Sequence, residues 1–294
     1  MIKNFRLIVL LCVCVSVFLS GCSKKEKIKS VFYIDKENTY INQKVYKSEK
    51  ETNRQTNLNF HFVYSGKRPK DITCSAVEGD SDNGTSLIPK SSEFFYEDFA
   101  EEYEHKGFSV GNILIKTELK CGKGFGSFKL KSIKLKIDNV DYQLSFKDNQ
   151  IKYDLCNENE VEWEKLEPYA YPSYLEESNA VFPMDFVANE DLIIDKIDLG
   201  NLIECEKIEA VIDDSEPVSE FPIEIKKGSK IHFEFYANYK SNIYKWSNVT
   251  MSYGVCYHLV KNNENKIFGN NIIYLTLPNE KNCDDFVEYM LKNN

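Results

Sequence analysis

The chain has 294 residues, with 37 Lys and Arg against 46 Asp and Glu, a net charge of −9, and 13% aromatic residues. That acidic balance excludes a nucleic-acid surface, which needs clustered basic residues, and fits a soluble body facing water. The length allows two domains or one large β-domain, and the aromatic content is enough for substantial cores.

Met1 to Arg6 carries Lys3 and Arg6 and no acid, and from Leu7 to Leu19 only Ser16 is polar. Small residues follow at Ser20 and Gly21. A positive start, a short apolar run and a small-residue exit are the three parts of a secretory signal peptide. The apolar run is shorter than the roughly 20 residues a spanning helix needs. The exit Leu19-Ser20-Gly21-Cys22 resembles the lipobox of bacterial lipoproteins. The resemblance covers the first two dozen residues only. It implies a signal peptide at 1–21, lipid attachment at Cys22, and cleavage that makes Cys22 the new N-terminus. Two or more acyl chains give stable anchoring, at about 0.8 kcal/mol per buried methylene. Without Lys3 and Arg6 the chain would keep 35 basic and 46 acidic residues, a net of −11. Residues 22–30 form a charged tether with Lys24, Lys25, Lys27 and Lys29, short enough to hold the folded part near the bilayer.

Period-two alternation then recurs along the chain. Strands are expected at Ser30–Asp35, Asn57–Tyr64, Asp71–Val77 and Asn112–Cys121. The clearest is Ser127–Ile137, where Phe128 and Leu130, then Ile133, Leu135 and Ile137, alternate with lysines. The jump at Lys131-Ser132 predicts a bulge. Asp138-Asn139 predicts a turn into a hairpin partner, Val140–Phe146. Lys129, Lys131, Lys134 and Lys136 read as the solvated side of that strand, where lysine also discourages edge pairing. Glu78–Gly84 resembles half a calcium loop, but the spacing of an EF-hand fails at Thr85 and Ser91, leaving a solvated turn. Gly122–Gly126 precedes a strand rather than a helix, so it reads as a hairpin loop and not a phosphate loop.

The second half repeats the style at Ala180–Val187, Leu192–Ile197, Leu202–Ile212, Phe221–Ile225, Lys230–Ala237, Val249–Val260 and Ile272–Leu277, with a turn at Phe268–Asn271. Helices are expected at Ser91–Glu104, Asn159–Leu166 and Asp284–Leu291. The first has Phe95, Phe99 and Tyr103 four apart, and the last has acids at its start, which suits the helix dipole. Trp163–Tyr174, with two prolines and four aromatics, marks a boundary. The expected fold is all-β: two consecutive β-sandwiches of Ig-like architecture, with a few short peripheral helices, at residues 31–157 and 180–294 around an interdomain segment 158–179.

Six cysteines lie beyond the anchor, none in a C-x-x-C pair. An even number outside the reducing cytosol suits structural bridges, and the candidate pairs are Cys74–Cys121, Cys205–Cys256 and Cys156–Cys283. His61 and His232 alternate against apolar neighbours and are expected to be exposed; His105 and His258 complete the set. There is no H-E-x-x-H and no G-x-S-x-G, so no catalytic, cofactor or metal residue is assigned. The leading functional expectation is a membrane-anchored, extracytoplasmic, non-catalytic lipoprotein that binds an envelope protein or glycan. A second is an envelope hydrolase or carbohydrate-active enzyme using loop carboxylates. A third is the solute-binding component of a transporter, a class usually built from βαβ units.

Overall fold

The computed structural model describes residues 31–293 apart from 49, 97–106, 159–163, 171–178, 201–202, 240–247 and 276–282. In chain order the strands are β1 (Val31–Ile34), β2 (Thr39–Lys47), β3 (Asn53–Ser65), β4 (Ile72–Ser81), β5 (Ser86–Tyr96), β6 (Ser109–Lys120), β7 (Gly126–Ile137), β8 (Val140–Ser145) and β9 (Ile151–Asn157). The second half adds β10 (Leu166–Ala170), β11 (Asn179–Ala188), β12 (Leu192–Asp198), β13 (Ile203–Ile212), β14 (Ile223–Ile225), β15 (Lys230–Tyr239), β16 (Asn248–Leu259) and β17 (Asn265–Leu275). Among the described residues one helix, α1 (Cys283–Asn293), follows.

Three sheets form. One is β1-β3-β6-β5, another is β10-β11-β15-β13, and the third has nine strands in the order β14-β12-β16-β2-β9-β7-β4, with β17 beside β16 and β8 beside β7. Two cores fill the space between layers. Phe60, Phe62, Ile113 and Ile115 of the first sheet face Ile133, Leu135, Ile151 and Tyr153 of the nine-stranded sheet. Phe186, Phe233 and Phe235 of the other four-stranded sheet face Ile194, Val255, Tyr257 and Phe268. The fold is therefore all-β, with two sandwiches backed by a common sheet.

The splice in that sheet is parallel. Thr39–Asn42 of β2 pair with Asn248–Met251 of β16, and Ile41–Lys47 pair in parallel with β9 on the other side. Tyr40 of β2 consequently sits in the second core, although its strand belongs to the first half. At the seam Lys44 Nζ lies 2.9 Å from Asp198, and the Lys44 N–H donates to Ser252 Oγ at 2.6 Å. Gln150 closes the turn before β2: its Nε2 donates to the carbonyls of Lys36 (2.6 Å) and Thr39 (2.9 Å), and its Oε1 accepts from Lys147 N–H (3.0 Å).

Local chemistry accounts for several details. In β7 the buried apolar set is Phe128, Leu130, Ile133, Leu135 and Ile137, and Lys131 is the extra residue between Leu130 and Ser132 opposite Glu78-Gly79, where the bulge is expected. Asp138 and Asn139 take positive φ, 45° and 69°, the two-residue turn that matches the twist of a hairpin, and β8 returns on β7. The expected turn at Phe268–Asn271 is a correction. Those residues lie inside β17, and Gly269 is there because a Cβ would come within 2.8 Å of the Tyr46 ring; the glycine admits a close neighbour. Gly122–Gly126 links two different sheets rather than a hairpin.

The helices also differ from expectation. Ser91–Tyr96, where the spacing predicts the start of a helix, belongs to β5, because Phe94 and Tyr96 pack into the aromatic cluster around Phe62; residues 97–104 of that segment are outside the described residues. Leu166 is strand, and 159–163 are likewise outside. α1 lies where the third helix is expected. Its Phe286, Val287 and Met290 pack on Val63 and Val110, on the outer face of the first sheet, so the chain's last described element returns to its first sandwich.

Candidate functional site

The loop Gly66–Asp71 between β3 and β4 meets the β7–β8 turn at one pole of the first sandwich. Asp138 Oδ1 accepts from the N–H groups of Lys70 (3.1 Å) and Asp71 (3.0 Å), and its own N–H donates to Asp71 O (3.0 Å). Those two donors hold the Asp138 carboxyl below its usual range. The Arg68 guanidinium carbon lies 3.7 Å from the Tyr96 ring centroid, a cation–π stack. Tyr96 Oη donates to Pro69 O at 2.5 Å, and burial pushes its phenol up to about 12. Beneath it Tyr96 meets Phe62 and Tyr64 at ring separations of 5.7 and 6.0 Å. The loop is therefore pinned from below and from the side.

This pole is concave. A cleft of about 630 Å3 is lined by Arg68, Lys70, Thr73, Ser92, Glu93 and Phe94 among others. Across Pro69 a second hollow of about 300 Å3 is lined by Val31, Phe32, Lys67, Val140 and Tyr142. Glu93 is held by Lys116 at 2.8 Å, and Asp138 is occupied by backbone. Asp138 keeps its charge, so Lys67, Arg68 and Lys70 outnumber the carboxylates Asp71 and Asp138 by one, on a chain whose net charge is −9. The flanking sheet edges are blunted. β5 carries Pro89 and Lys90 with a bulge between Pro89 and Ser91, and β4 has a bulge between Cys74 and Ala76, devices that discourage strand addition.

Sequence parity places His61 outside the first core, and there it is, but it is only 1% exposed. α1 covers it: the Phe286 ring stands edge-on at 5.8 Å. The His61 Nδ1–H donates to the side-chain oxygen of Asn112. Burial pulls its pKa down to about 4. Nearby, Asp35 is buried, accepts from Asn38 Nδ2 at 2.8 Å, and is pushed up to about 6 by burial, against the pull of Asn38. Asn38 in turn donates to Tyr289 Oη of α1 at 2.7 Å.

The two titrations oppose each other. His61, lowered from 6.5, supports folding fully above pH 6.5 and loses that support as pH falls toward 4. Asp35, raised from 3.8, supports folding fully below 3.8 and loses that support as pH rises toward 6. Relative to the native chain, Asp35→Asn should therefore lose about 2 kcal/mol more stability between pH 6.5 and about 4.5, and His61→Gln about 2 kcal/mol less. Urea unfolding at each pH reads this, and equal slopes for all three would refute it.

The remaining expected sites fall as follows. Cys22 and the tether lysines lie outside the described residues, as does His105. The other six cysteines are free thiols, and the three candidate bridges are not formed. Cys74 lies against Ser92, level with Ile115 in the β5–β6 register; Cys121 is six residues further along, about 20 Å at strand rise. Cys256 alternates with the buried Val255 and Tyr257 and so faces away from the sheet holding Cys205. Cys156, next to the buried Leu155, is on the outer side of the nine-stranded sheet, while Cys283 is on the buried side of α1 at the opposite outer face. A disulfide needs Cα atoms within about 7 Å.

The β7 lysine row is solvated and ion-paired, Lys131 to Asp80 at 2.5 Å and Lys134 to Glu78 at 3.2 Å. Asp82 accepts from Ser127 N–H at 2.7 Å, and Glu78–Gly84 is the end of β4 and its turn. His232 is half-exposed on the outer face of the second sandwich, raised by its 2.6 Å hydrogen bond to Asp185. There Tyr236 Oη lies 2.9 Å from both Glu209 and Glu234. Sequence reasoning missed Arg68 and Tyr96, which are 28 residues apart and joined only by the fold.

No protein-family model matches the chain, and no curated protein matches it. Among solved structures it is similar to the C-terminal domain of the Streptococcus agalactiae AgI/II polypeptide BspA, at 9% identity over 84% of this chain and 100% of that one, TM-score 0.24. It is also similar to CfaE, the adhesive subunit of the CFA/I fimbria of enterotoxigenic Escherichia coli, at 7% identity over 81% and 97%, TM-score 0.24. A third similar structure is the D00-D0 domain of intimin, at 7% identity over 83% and 100%, TM-score 0.22. At these scores the overlaps carry no argument of their own, and the all-β architecture stands on the strand pairing.

Proposed function

We propose that this chain is a lipid-anchored, extracytoplasmic binding protein that performs no catalysis and engages its ligand at the Arg68 pole of the first sandwich. The observation that carries the reading is placement. The cationic pole borders Val31, whose N–H donates to Ser65 Oγ at 3.3 Å, and Val31 follows Cys22 by nine residues. Nine residues reach at most about 32 Å, so an anchor at Cys22 keeps this pole beside the bilayer. Hydrolysis by paired carboxylates needs two of them roughly 5–9 Å apart across a cleft. Of the acids lining this one, Glu93 is engaged by Lys116, which favours binding over bond cleavage. Glu209 and Glu234 both lie within hydrogen-bond distance of the Tyr236 hydroxyl, so these two carboxylates are already engaged.

Cys22→Ser tests the anchor. The native chain should partition with membranes and carry acyl mass on its N-terminal cysteine. The variant should lose that mass and leave the washed membrane fraction. A variant that stays with the membrane as the native chain does would end the reading, and so would specific turnover of a glycan or peptide by the purified native protein.

A further inference from the structure

We infer that α1 is an acid-released strap, which protonation of His61 frees from the outer face of the first sheet while both sandwiches stay folded.

The geometry beneath the helix points there. The His61 Nδ1–H donates to Asn112 Oδ1, which leaves Nε2 as the acceptor of a neutral imidazole. That Nε2 is buried and has no hydrogen-bond partner among the described residues. The Phe286 ring stands edge-on to the imidazole, and Val63, Val110, Val287 and Met290 pack together in the same layer. An unmet acceptor already weakens this contact. A proton added at Nε2 creates a buried imidazolium whose new N–H finds no acceptor in place, and such a charge needs water. The element between His61 and water is α1. Its 11 residues pair with no strand, so it can leave as a unit without opening a sheet.

The surrounding charges do not offset that proton. On α1, Asp284, Asp285, Glu288 and Lys292 are on the exposed side, and burial pushes the Cys283 thiol up, which keeps it uncharged. Level with His61 on β6 and β5 are Asn112 and Phe95, both uncharged, and the nearby Glu93 is paired with Lys116. β1 contributes the Tyr33 phenol and, just past its end, Asp35. The Asp35 carboxyl is held by its own turn: it accepts from the N–H groups of Glu37 (3.2 Å) and Asn38 (3.3 Å) and from Asn38 Nδ2 (2.8 Å). α1 meets it through Asn38, which also donates to Tyr289 Oη. The bonds of Asp35 therefore remain when the helix departs, whereas His61 loses its cover.

Docked, His61 is held by burial at about 4, against 6.5 for an exposed ring. Docking is at full strength above pH 6.5 and weakens as pH falls toward 4. Those two values make the released form about 30-fold more populated, relative to the docked one, at pH 5 than at pH 7.5.

The test follows amide protection in the native full chain, corrected for intrinsic exchange rates, from pH 7.5 to pH 5. Protection in α1 should fall about 30-fold, while the amides of Phe60, Phe62, Ile113 and Ile115 in the first core keep theirs. His61→Gln should remove the pH dependence from α1, and Asp35→Asn should leave the native fall in place. The core amides also report whether His61→Gln has folded, and the native profile tests the switch without any variant. Flat α1 protection in the native chain overturns the inference, and so does a fall that survives His61→Gln. Parallel loss in α1 and core overturns it as well, since the event is then global unfolding. A native chain that is flat while Asp35→Asn is steep assigns the cancelling titration to Asp35 and leaves the native protein without an acid switch.

Discussion

Phe286→Ala should destabilise the docked helix by about 3–5 kcal/mol, the usual cost of emptying a fully buried aromatic site. Phe286 is buried with Val287 and Met290 against Val63 and Val110. α1 has 11 residues, too few to persist alone in water, so it depends on that contact. Loss of docking uncovers His61, whose pKa should climb from about 4 toward an exposed value. The measurements are amide exchange across 283–293 and the His61 ring titration by NMR. Leu291→Ala, on the exposed side of the same helix, should change stability by under about 0.5 kcal/mol. Comparable losses in both variants, or a His61 that keeps its low pKa after Phe286→Ala, would show that α1 is not what buries the histidine.

The second large effect concerns cooperativity between the sandwiches. Phe60→Ala in the first core and Tyr40→Ala in the second should each cost about 3–5 kcal/mol. Both should lower one shared thermal transition rather than two. The reason is the splice. Tyr40 is carried by β2, which pairs with β9 of its own half and with β16 of the other, so unfolding either core pulls a strand out of the common sheet. Calorimetric and van't Hoff enthalpies should agree for the native chain and for both variants. Two resolved transitions, with each variant moving a different one, would mean that the seam is too weak to couple the cores.

Local pattern made some of this architecture legible. The alternation of Phe128 through Ile137 gave a strand, its bulge and its hairpin partner without any distant information. The acidic start and apolar face of α1 were equally readable. What failed was set by distant partners. β2 has a thin apolar pattern, yet it runs down the middle of the nine-stranded sheet because neighbours from both halves supply its pairing. Ser91–Tyr96 offered helical spacing through Phe95, while its actual register was decided by Phe94 and Tyr96 meeting Phe62. His61 has the parity of an outward residue and is outward, but a helix more than 200 residues later in the chain lies over it. The candidate disulfides rested on spacing alone. The side each cysteine faces is a tertiary property for Cys283, and for Cys256 it could have been read from its buried neighbours Val255 and Tyr257. The cationic pole needed Arg68, Tyr96 and Asp138 brought together from three different segments, and no short-range signal announces that.

The parallel seam also bears on how the chain is made. The residues of β2 emerge early in synthesis, whether from a ribosome or through a membrane pore, and their partners on β16 appear only after about 200 more have followed. Until then the first sandwich waits with one strand bare along part of its length and with the face that α1 will cover still wet. Contacts so far apart in sequence slow the final step, and the interval leaves an open strand edge to other nascent copies. The body is thus completed from its tail backwards, and a chain cut short before Asn248 leaves its first half permanently unfinished.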